Sequence, residues 1–365
     1  MKILIDINHP GNVHYFKHFI KIMRHKRHEI LLTARNSKII CQLLEAYDFD
    51  YIPRGKGGDS ISGKIFKMIS ADYKIYKHAR SFKPDLLMSF SSPYAAQVAA
   101  LLRKPHINLN DTEHSDRIHR KFTYPFSKYI ITPSTYQNNL GKKHIRINTV
   151  VEYAYLNPKV FKPNPDIFQY LGISKEDKYV VIRFVSWQAL HDINQGGLSL
   201  EMKHKIIKLL EKKYRVFICA EKGVDSIFKP YQLKIPPEKM HDALAYASLF
   251  ISEGGTSASE SALLATPTIY INSLPLMCYL KLAQQHGVIE HFNTEKEVMS
   301  YVQNFLDKPP GEDEMIMKRN AMTKDFINLT DYLIWFVENY PESGHIATEN
   351  PEKLPEFHKN FSDNL

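Results

Sequence analysis

The stretch at 249–260 reads LFISEGGTSASE, and it carries the pattern that decides the fold. Its first four residues form a short apolar strand pattern, and Gly254 and Gly255 follow directly before a predicted helix. Open α/β sheets bind ligands at the carboxyl ends of their strands. A helix N-terminus offers unpaired N–H groups and a positive dipole to phosphate. The stretch therefore predicts a phosphate-binding loop in an α/β domain.

The side chains that follow the two glycines suit a nucleotide. Thr256 and Ser257 can donate hydroxyl hydrogen bonds to phosphate oxygens, and Glu260 can accept hydrogen bonds from a ribose diol about one turn into the helix. The alternative interpretation is a glycine turn in which Thr256 or Ser257 only caps the helix. Neighbouring sequence has to decide between these two interpretations.

The composition indicates a folded protein with two domains. The chain has 365 residues, more than the roughly 250 to 300 at which one core usually stops growing. Its 44% hydrophobic and 24% charged residues exclude a disordered or collagen-like chain. Three distant cysteines favour a reducing compartment, and neither an export signal nor a membrane-spanning run is visible. We expect a cytoplasmic protein whose membrane contact, if any, is peripheral.

The net charge of +9 is unevenly distributed along the chain. Residues 1–160 carry 26 Lys and Arg against 12 Asp and Glu, while residues 161–365 carry 22 against 27. The stretch at 17–28 and the helix at 64–83 account for much of the basic excess. A basic helical face can bind an anionic membrane or can simply be solvated, and both alternatives are open for these segments. Nucleic acid is not an expected partner, because no helix-turn-helix, RNP or OB signature accompanies the charge.

Short apolar runs alternate with helical stretches throughout the chain. Candidate strands lie at 2–7, 28–33, 49–53, 85–90, 105–109, 128–132, 179–185, 216–219, 249–252 and 268–271. Parallel strands need crossover connections, so this alternation predicts two doubly wound α/β domains. Turn residues near 155–170 mark the linker. We place the domains at 1–160 and 161–310, C-terminal helices that could cross back to the first domain at 311–340, and a mobile tail at 341–365.

Two loops of the first half carry candidate catalytic residues. The loop at 8–14 follows the first strand and places His14 in the first turn of a helix, where a neutral imidazole can act as a general base. A histidine that only hydrogen-bonds its loop is the alternative. The stretch at 110–117 packs three acids, a histidine and an arginine after a strand. Its alternative is a solvated helix start with acids matched to the dipole.

The order of these segments resembles the donor site of GT-B glycosyltransferases. The Pro236-Pro237 turn, the helix from Met240, the strand, the Gly-Gly loop and the Thr266-Pro267 strand entry follow one another as they do in the murein glycosyltransferase. They are more loosely similar to UDP-N-acetylglucosamine 2-epimerases. With MKILIDINHP at 1–10, DTEH at 111–114 and RFVSW at 183–187, the chain resembles the family called domain of unknown function 354 over residues 1 to about 310.

This resemblance implies a GT-B fold, in which two Rossmann-like domains face each other across a cleft. The residues assigned to the nucleotide-sugar are Arg183, Met240, Gly254, Gly255, Thr256, Ser257 and Glu260, with Glu260 on the ribose. The candidate catalytic residues are His14, Asp111 and Glu113, and the acceptor or sugar side is assigned to Gly11, Asn12, His114 and His191. No metal or other cofactor is expected, because the helix dipole and Arg183 can stabilise a leaving diphosphate.

The first hypothesis for the function is a glycosyltransferase of cell-surface polysaccharide synthesis, acting in the cytoplasm or at the inner face of the membrane. It would move a sugar from a nucleotide-sugar, UDP-linked by first choice, to a glycan or lipid-linked acceptor. An epimerase of the same fold is the alternative, although the Gly-Asp of the epimerases is replaced by the sequence at 88–92, MSFSS. A non-catalytic nucleotide-sugar-binding protein is the third possibility.

Overall fold

A computed structural model describes residues 1–55, 61–184, 197–220, 225–273, 275–349, 351 and 354, with the backbone alone for 61–68 and 220. The chain divides into two compact units. The first unit comprises Met1–Asn157 and Asp325–Leu365, and the second comprises Pro158–Lys324. Among the described residues, no helix is both long and apolar enough to cross a membrane.

The first unit is built on a parallel sheet. Its strands are β1 (Lys2–Ile7), β2 (Glu29–Arg35), β3 (Ile52–Gly55), β4 (Leu86–Phe90), β5 (His106–Leu109), β6 (Tyr129–Pro133) and β7 (His144–Ile147). Within the described part of the chain they lie in the order β3-β2-β1-β4-β5-β6-β7, and all neighbours are parallel. The order reverses between β1 and β4. Open α/β sheets bind ligands at such a reversal, beyond the carboxyl ends of the strands.

Helices connect these strands, and their starts follow from local sequence. They are α1 (Pro10–His25), α2 (Lys38–Ala46), α3 (Ile61–Phe82), α4 (Pro93–Leu101), α5 (Asp116–Phe122) and α6 (Tyr153–Leu156). Both α1 and α4 begin with proline, whose fixed φ and missing N–H suit the first helical position. Ser92 caps α4, because its hydroxyl accepts a hydrogen bond from the Ala95 N–H at 3.3 Å.

The second unit repeats the architecture around a smaller parallel sheet. Its strands are β8 (Tyr179–Phe184), β9 (Arg215–Ala220), β10 (Leu249–Ser252), β11 (Thr268–Ile271) and β12 (Ile289–Phe292), in the order β12-β11-β10-β8-β9 among the described residues. Its helices are α7 (Ile167–Leu171), α8 (Leu200–Leu210), α9 (Met240–Ala245), α10 (Gly255–Leu263), α11 (Cys278–Gln285), α12 (Glu295–Asp307) and α13 (Glu312–Thr323). Val180 and Ile182 belong to one apolar cluster, and Tyr179 and Val181 belong to another. Both faces of this sheet are therefore buried.

The C-terminal segment is divided between the two units. Helix α13 stays with the second unit, where Arg319 Nη1 donates to the Leu263 carbonyl at 2.9 Å. Helices α14 (Leu329–Glu338) and α15 (Glu342–Glu349) belong to the first unit. The Ser343 hydroxyl donates to the Phe336 carbonyl at 2.5 Å and ties α15 to α14. The structure thus splits the stretch at 311–340 and gives a helix to residues that the sequence predicts to be a mobile tail.

Candidate functional site

Strand β10 and helix α10 form the loop that the glycine pattern predicts. Gly254 occupies the N-cap position with extended backbone, and Gly255 is the first helical residue. A glycine cap has no side chain to offer, so the first backbone N–H groups of α10 point out of the helix without a side-chain cap from that position. The Gly254 N–H itself donates to the Ser252 hydroxyl at 3.0 Å. This arrangement presents a helix N-terminus that suits an anion.

Gly255 is required by the close approach of the next helix. A Cβ atom built on Gly255 would lie 2.7 Å from Tyr279 Oη and 3.4 Å from Leu280 Cδ1. Both neighbours belong to α11, which packs against α10. Any larger residue must therefore displace either the tyrosine ring or the start of α10.

The two hydroxyl residues of the loop differ in their contacts. Ser257 is buried, and its hydroxyl donates to the Gly254 carbonyl at 3.2 Å and lies 3.1 Å from the Ser252 hydroxyl. Thr256 is half-buried. Ser257 therefore holds the loop together through the hydroxyl that was predicted to bind phosphate.

Glu260 is paired with a buried histidine, His241, which was not among the predicted site residues. Glu260 Oε1 lies 3.0 Å from His241 Nε2, and the two residues are only 8% and 3% exposed. The edge of the Phe161 ring faces His241, with the ring centroids 6.2 Å apart. His241 belongs to α9 and Glu260 to α10, so the contact fixes the carboxylate relative to both helices. A charged hydrogen bond of this kind orients a carboxylate strongly.

Arg183 and Met240 lie in the same unit as this loop. Arg183 on β8 pairs in register with Ser252, and its carbonyl accepts from the Glu253 N–H at 3.2 Å, which places it beside the loop at the carboxyl end of the sheet. Met240 begins α9, is half-buried and packs partly against an apolar cluster. The predicted sugar residue His191 lies outside the described residues.

In the first unit, the residues at the start of α1 form a closed turn. The Asn12 side chain accepts from the His9 N–H at 3.0 Å and from the Asn8 N–H at 3.1 Å, while His9 Nδ1 accepts from the Gly11 N–H at 3.2 Å. This is a reciprocal cap in which both side chains satisfy backbone groups. A Cβ at Gly11 would lie 3.0 Å from Tyr15 Oη. The turn therefore uses Asn12 and Gly11 for its own geometry, with His9 as the cap.

His14 lies one turn further along α1 and is held by two tyrosines. Its Nδ1 is 3.1 Å from the Tyr47 hydroxyl, and its ring stacks on Tyr155 with centroids 5.2 Å apart. Lys17 Nζ lies 5.0 Å from the centre of the Tyr47 ring. For Nε2 of His14 to act as a base, Nδ1 must carry the proton and donate it to Tyr47 Oη. The Tyr47 hydroxyl can also donate to Nδ1, so this contact fits either tautomer of His14.

The loop after β5 holds a buried carboxyl. Asp111 is 5% exposed, and its Oδ1 accepts from the Thr112 hydroxyl at 2.7 Å. Burial raises the pKa of Asp111 to about 6. Glu113 accepts from the Gln137 N–H at 2.7 Å, and His114 is exposed. Asp111 is therefore a buried carboxyl with a raised pKa.

Asp116 closes the same loop and has a structural role. Its Oδ1 accepts from the hydroxyls of Tyr124 and Tyr136, each at 2.5 Å, and its Oδ2 accepts from Asn138 Nδ2 at 2.8 Å. Asn110 at the start of the loop donates to both tyrosine hydroxyls. The network joins the two ends of the loop, and it fixes the backbone on either side of Asp111.

A buried ionic cluster lies at the carboxyl end of β1 and was also missed. Asp6 accepts from Arg54 Nε at 2.9 Å, from the Thr33 hydroxyl at 2.7 Å and from the Ser92 hydroxyl at 2.6 Å. These partners come from β3, β2 and the loop after β4. Burial raises the pKa of nearby Asp72 to about 7, with Arg54 opposing the shift. The cluster ties together the strand ends on both sides of the sheet reversal.

The basic stretch at 17–28 is largely engaged by its own unit. Lys26 Nζ lies 2.8 Å from Glu338 Oε2 on α14, and the guanidinium of Arg24 lies 5.6 Å from the centre of the Phe49 ring. Burial, with Lys17 and Lys21 nearby, lowers the pKa of His18 to about 4. Arg24 and Lys26 therefore have partners within the first unit, and contact of the stretch at 17–28 with a membrane stays a prediction.

The two parallel, doubly wound sheets define a protein of the GT-B fold, and solved structures show the same fold. The UDP-GlcNAc 2-epimerase from Neisseria meningitidis bound to UDP-GlcNAc has a TM-score of 0.65 at 14% identity, covering 93% of this chain and 100% of that chain. MurG from Acinetobacter baumannii has a TM-score of 0.55 at 13% identity, covering 93% and 99%. At such identities the likeness extends to the fold alone.

The chain belongs to the family described as "Protein of unknown function (DUF354)", whose model matches residues 1–331. An uncharacterized protein of Methanocaldococcus jannaschii is 28% identical over 329 residues, which cover 86% of this chain and 94% of that protein. The predicted family and fold class are thereby confirmed. The reaction must be argued from the residues.

Proposed function

We propose that the protein is a glycosyltransferase that moves a sugar from a UDP-linked donor to a glycan or lipid-linked acceptor. The observation that carries this proposal is the pairing of a glycine-capped helix start with a buried, fixed carboxylate on the same helix. Gly255 opens α10, and Glu260, held by His241, follows five residues later. The helix start suits a diphosphate, and the carboxylate suits the two hydroxyls of a ribose.

The spacing of these two features supports binding of a nucleoside diphosphate. Five residues of α-helix correspond to about 7.5 Å along the axis. This is comparable with the distance from the phosphates of a nucleotide to its 2′ and 3′ hydroxyls. Arg183, beside the loop, adds positive charge for a diphosphate that gains charge as it leaves. The second unit therefore supplies the donor-binding groups.

The first unit supplies candidate bases for the acceptor. In transfer, an acceptor hydroxyl loses its proton to the base while its oxygen bonds to the anomeric carbon. The bond between that carbon and the diphosphate breaks, and its electron pair stays on UDP. Asp111, with a pKa near 6, is mostly ionised at pH 7 yet basic enough to accept this proton. His14 is the second candidate, and as the base at Nε2 it would donate its Nδ1 proton to Tyr47 Oη.

The test is turnover by the full-length protein. UDP-N-acetylglucosamine and other UDP-sugars are supplied with and without a membrane extract as the acceptor source, and free UDP and sugar products are measured. We expect UDP release that depends on the extract and falls by about 100-fold or more in Asp111→Asn. Glu201→Gln, which changes an exposed acid on α8, is the matched control. Tight nucleotide binding without turnover under any condition would instead indicate a binding protein.

An epimerase is the second candidate, because structures with this fold include UDP-GlcNAc 2-epimerases. The stretch at 88–92, MSFSS, stands where the epimerases carry Gly-Asp. The Ser92 hydroxyl donates to Asp6 and accepts from Ala95 N–H, so it serves the fold. Conversion of the donor sugar without any acceptor would favour the epimerase and contradict the transferase.

A further inference from the structure

The surface around α5 exposes several large apolar side chains. Ile118 and Phe122 on α5 are 58% and 44% exposed, Phe126 in the following turn is 41% exposed, and Leu101 at the end of α4 is 67% exposed. Single exposed apolar residues are common, but a concentration of them indicates an interaction surface.

Contacts between the two helices show that these side chains share one region. Gln97 Nε2 on α4 donates to the Phe122 carbonyl at 3.1 Å, and Leu101 lies four residues further along the same helix face. Ile118 and Phe122 are also four residues apart on α5. The turn that contains Phe126 packs against both helices. We call this region the α5 surface.

The α5 surface is also strongly basic. Its exposed cationic residues are Arg103, Lys104, Arg117, Arg120, Lys121 and Lys128. No Asp or Glu occurs in the sequence at 99–108 or 117–128. Arg120 is fixed by donating to the Asn139 carbonyl at 2.9 Å. A cluster of like charges next to exposed apolar groups suits an anionic partner with an apolar interior.

We propose that the α5 surface docks on a membrane that contains anionic lipid. Its apolar side chains would enter the boundary between headgroups and acyl chains, and its basic side chains would contact the lipid phosphates. Leu101 and Ile118 are aliphatic, so they can neither hydrogen-bond nor stack on the bases of a nucleic acid. They therefore favour a lipid partner over a nucleic acid. The uniform charge opposes pairing of this surface with itself in a second copy. Vesicle binding needs no nucleotide, so this inference stands apart from the proposed function.

The experiment is cosedimentation of the full-length protein with lipid vesicles. One set contains phosphatidylcholine alone, and the other has about one third replaced by phosphatidylglycerol. We expect binding to the anionic vesicles only, weakened by added salt. Arg117→Gln and Lys121→Gln should each reduce the affinity about fivefold, since one basic residue near a membrane contributes about that factor. The double variant Ile118→Ser, Phe122→Ser should reduce it at least tenfold.

Two controls make the test specific. Met317→Ser removes a side chain that is 72% exposed on α13 in the second unit, and it should leave vesicle binding unchanged. Ile69→Ser with Tyr73→Ser alters exposed positions on α3, the helix whose charge first indicated a membrane. The inference is overturned if the wild type ignores anionic vesicles, or if only the α3 variant loses binding. It is also overturned if the α5 variants merely convert a dimer to a monomer in sedimentation.

Discussion

The contact between His241 and Glu260 gives the sharpest prediction about nucleotide binding. If Glu260 accepts hydrogen bonds from ribose, then Glu260→Gln should raise the dissociation constant for UDP. His241→Leu should raise it as well, because the carboxylate loses the partner that lies 3.0 Å away and orients it. His241→Gln can still donate a hydrogen bond and should restore part of the affinity. A purely structural histidine would show no such rescue.

The expected size follows from the bonds involved. A hydrogen bond to a charged group contributes about 1.5–3 kcal/mol. Loss of the Glu260 charge therefore corresponds to roughly 10- to 150-fold weaker binding. His241→Leu keeps the carboxylate but not its orientation, so a smaller loss of about five- to twentyfold is expected. Because both residues act on one ligand contact, the double variant should bind no more weakly than Glu260→Gln alone.

Isothermal titration calorimetry with UDP and with 2′,3′-dideoxy-UDP measures these effects. All variants should bind the dideoxy nucleotide with the affinity of the wild type, because it lacks the hydroxyls in question. Thermal unfolding identifies any variant whose weaker binding reflects instability, since a buried carboxylate that loses its partner costs about 3–5 kcal/mol. The assignment of Glu260 to the ribose is refuted if UDP binds the wild type and Glu260→Gln equally well. It is also refuted if the two substitutions weaken both nucleotides alike.

Three further predictions concern pH and packing. The kcat/KM for transfer should rise through about pH 6 as Asp111 loses its proton. Asp111→Asn should abolish this rise. If the variant still shows the rise, Asp111 is not the base. In the folded protein the pKa of Asp72 is raised from 3.8 to about 7. Between these pH values the folded chain holds the Asp72 proton and the unfolded chain has lost it, so the free energy of unfolding falls as the pH rises. Asp72→Asn should flatten that part of the curve in urea titrations, and an unchanged slope would count against the assignment. Gly255→Ala should weaken UDP binding at least tenfold, because the new Cβ meets Tyr279. Gly311→Ala is the control and should bind UDP like the wild type, because its Cβ enters open space. Equal affinities of both variants would show that the loop tolerates the methyl group.

The central strands of both sheets were predictable because they are short, continuous apolar runs. Leu249–Ser252 and Thr268–Ile271 begin and end where the sequence indicates. The edge strands β7 and β12 were missed. Their sequences, HIRI and IEHF, place charged or histidine residues between apolar ones. An edge strand buries less of its surface than a central strand, so it does not need a continuous apolar run.

The candidate site was predictable only where the chemistry is local in sequence. The glycine loop and Glu260 lie within seven residues of one another, so helix geometry connects them. His241 meets Glu260 across 19 positions, and Arg54 meets Asp6 across 48. Such pairs depend on tertiary packing of separate elements, which a single sequence does not encode in any local pattern. The same holds for Tyr47 beside His14.

A crystal structure of the full-length protein with UDP tests the central claim most directly. We expect diphosphate oxygens within about 3 Å of the backbone N–H groups of Gly255 and Thr256, and the ribose hydroxyls within the same distance of Glu260. His241 should remain on the other side of the carboxylate. A nucleotide bound elsewhere, or one whose ribose faces away from Glu260, would show that the loop and Glu260 do not form the nucleotide site.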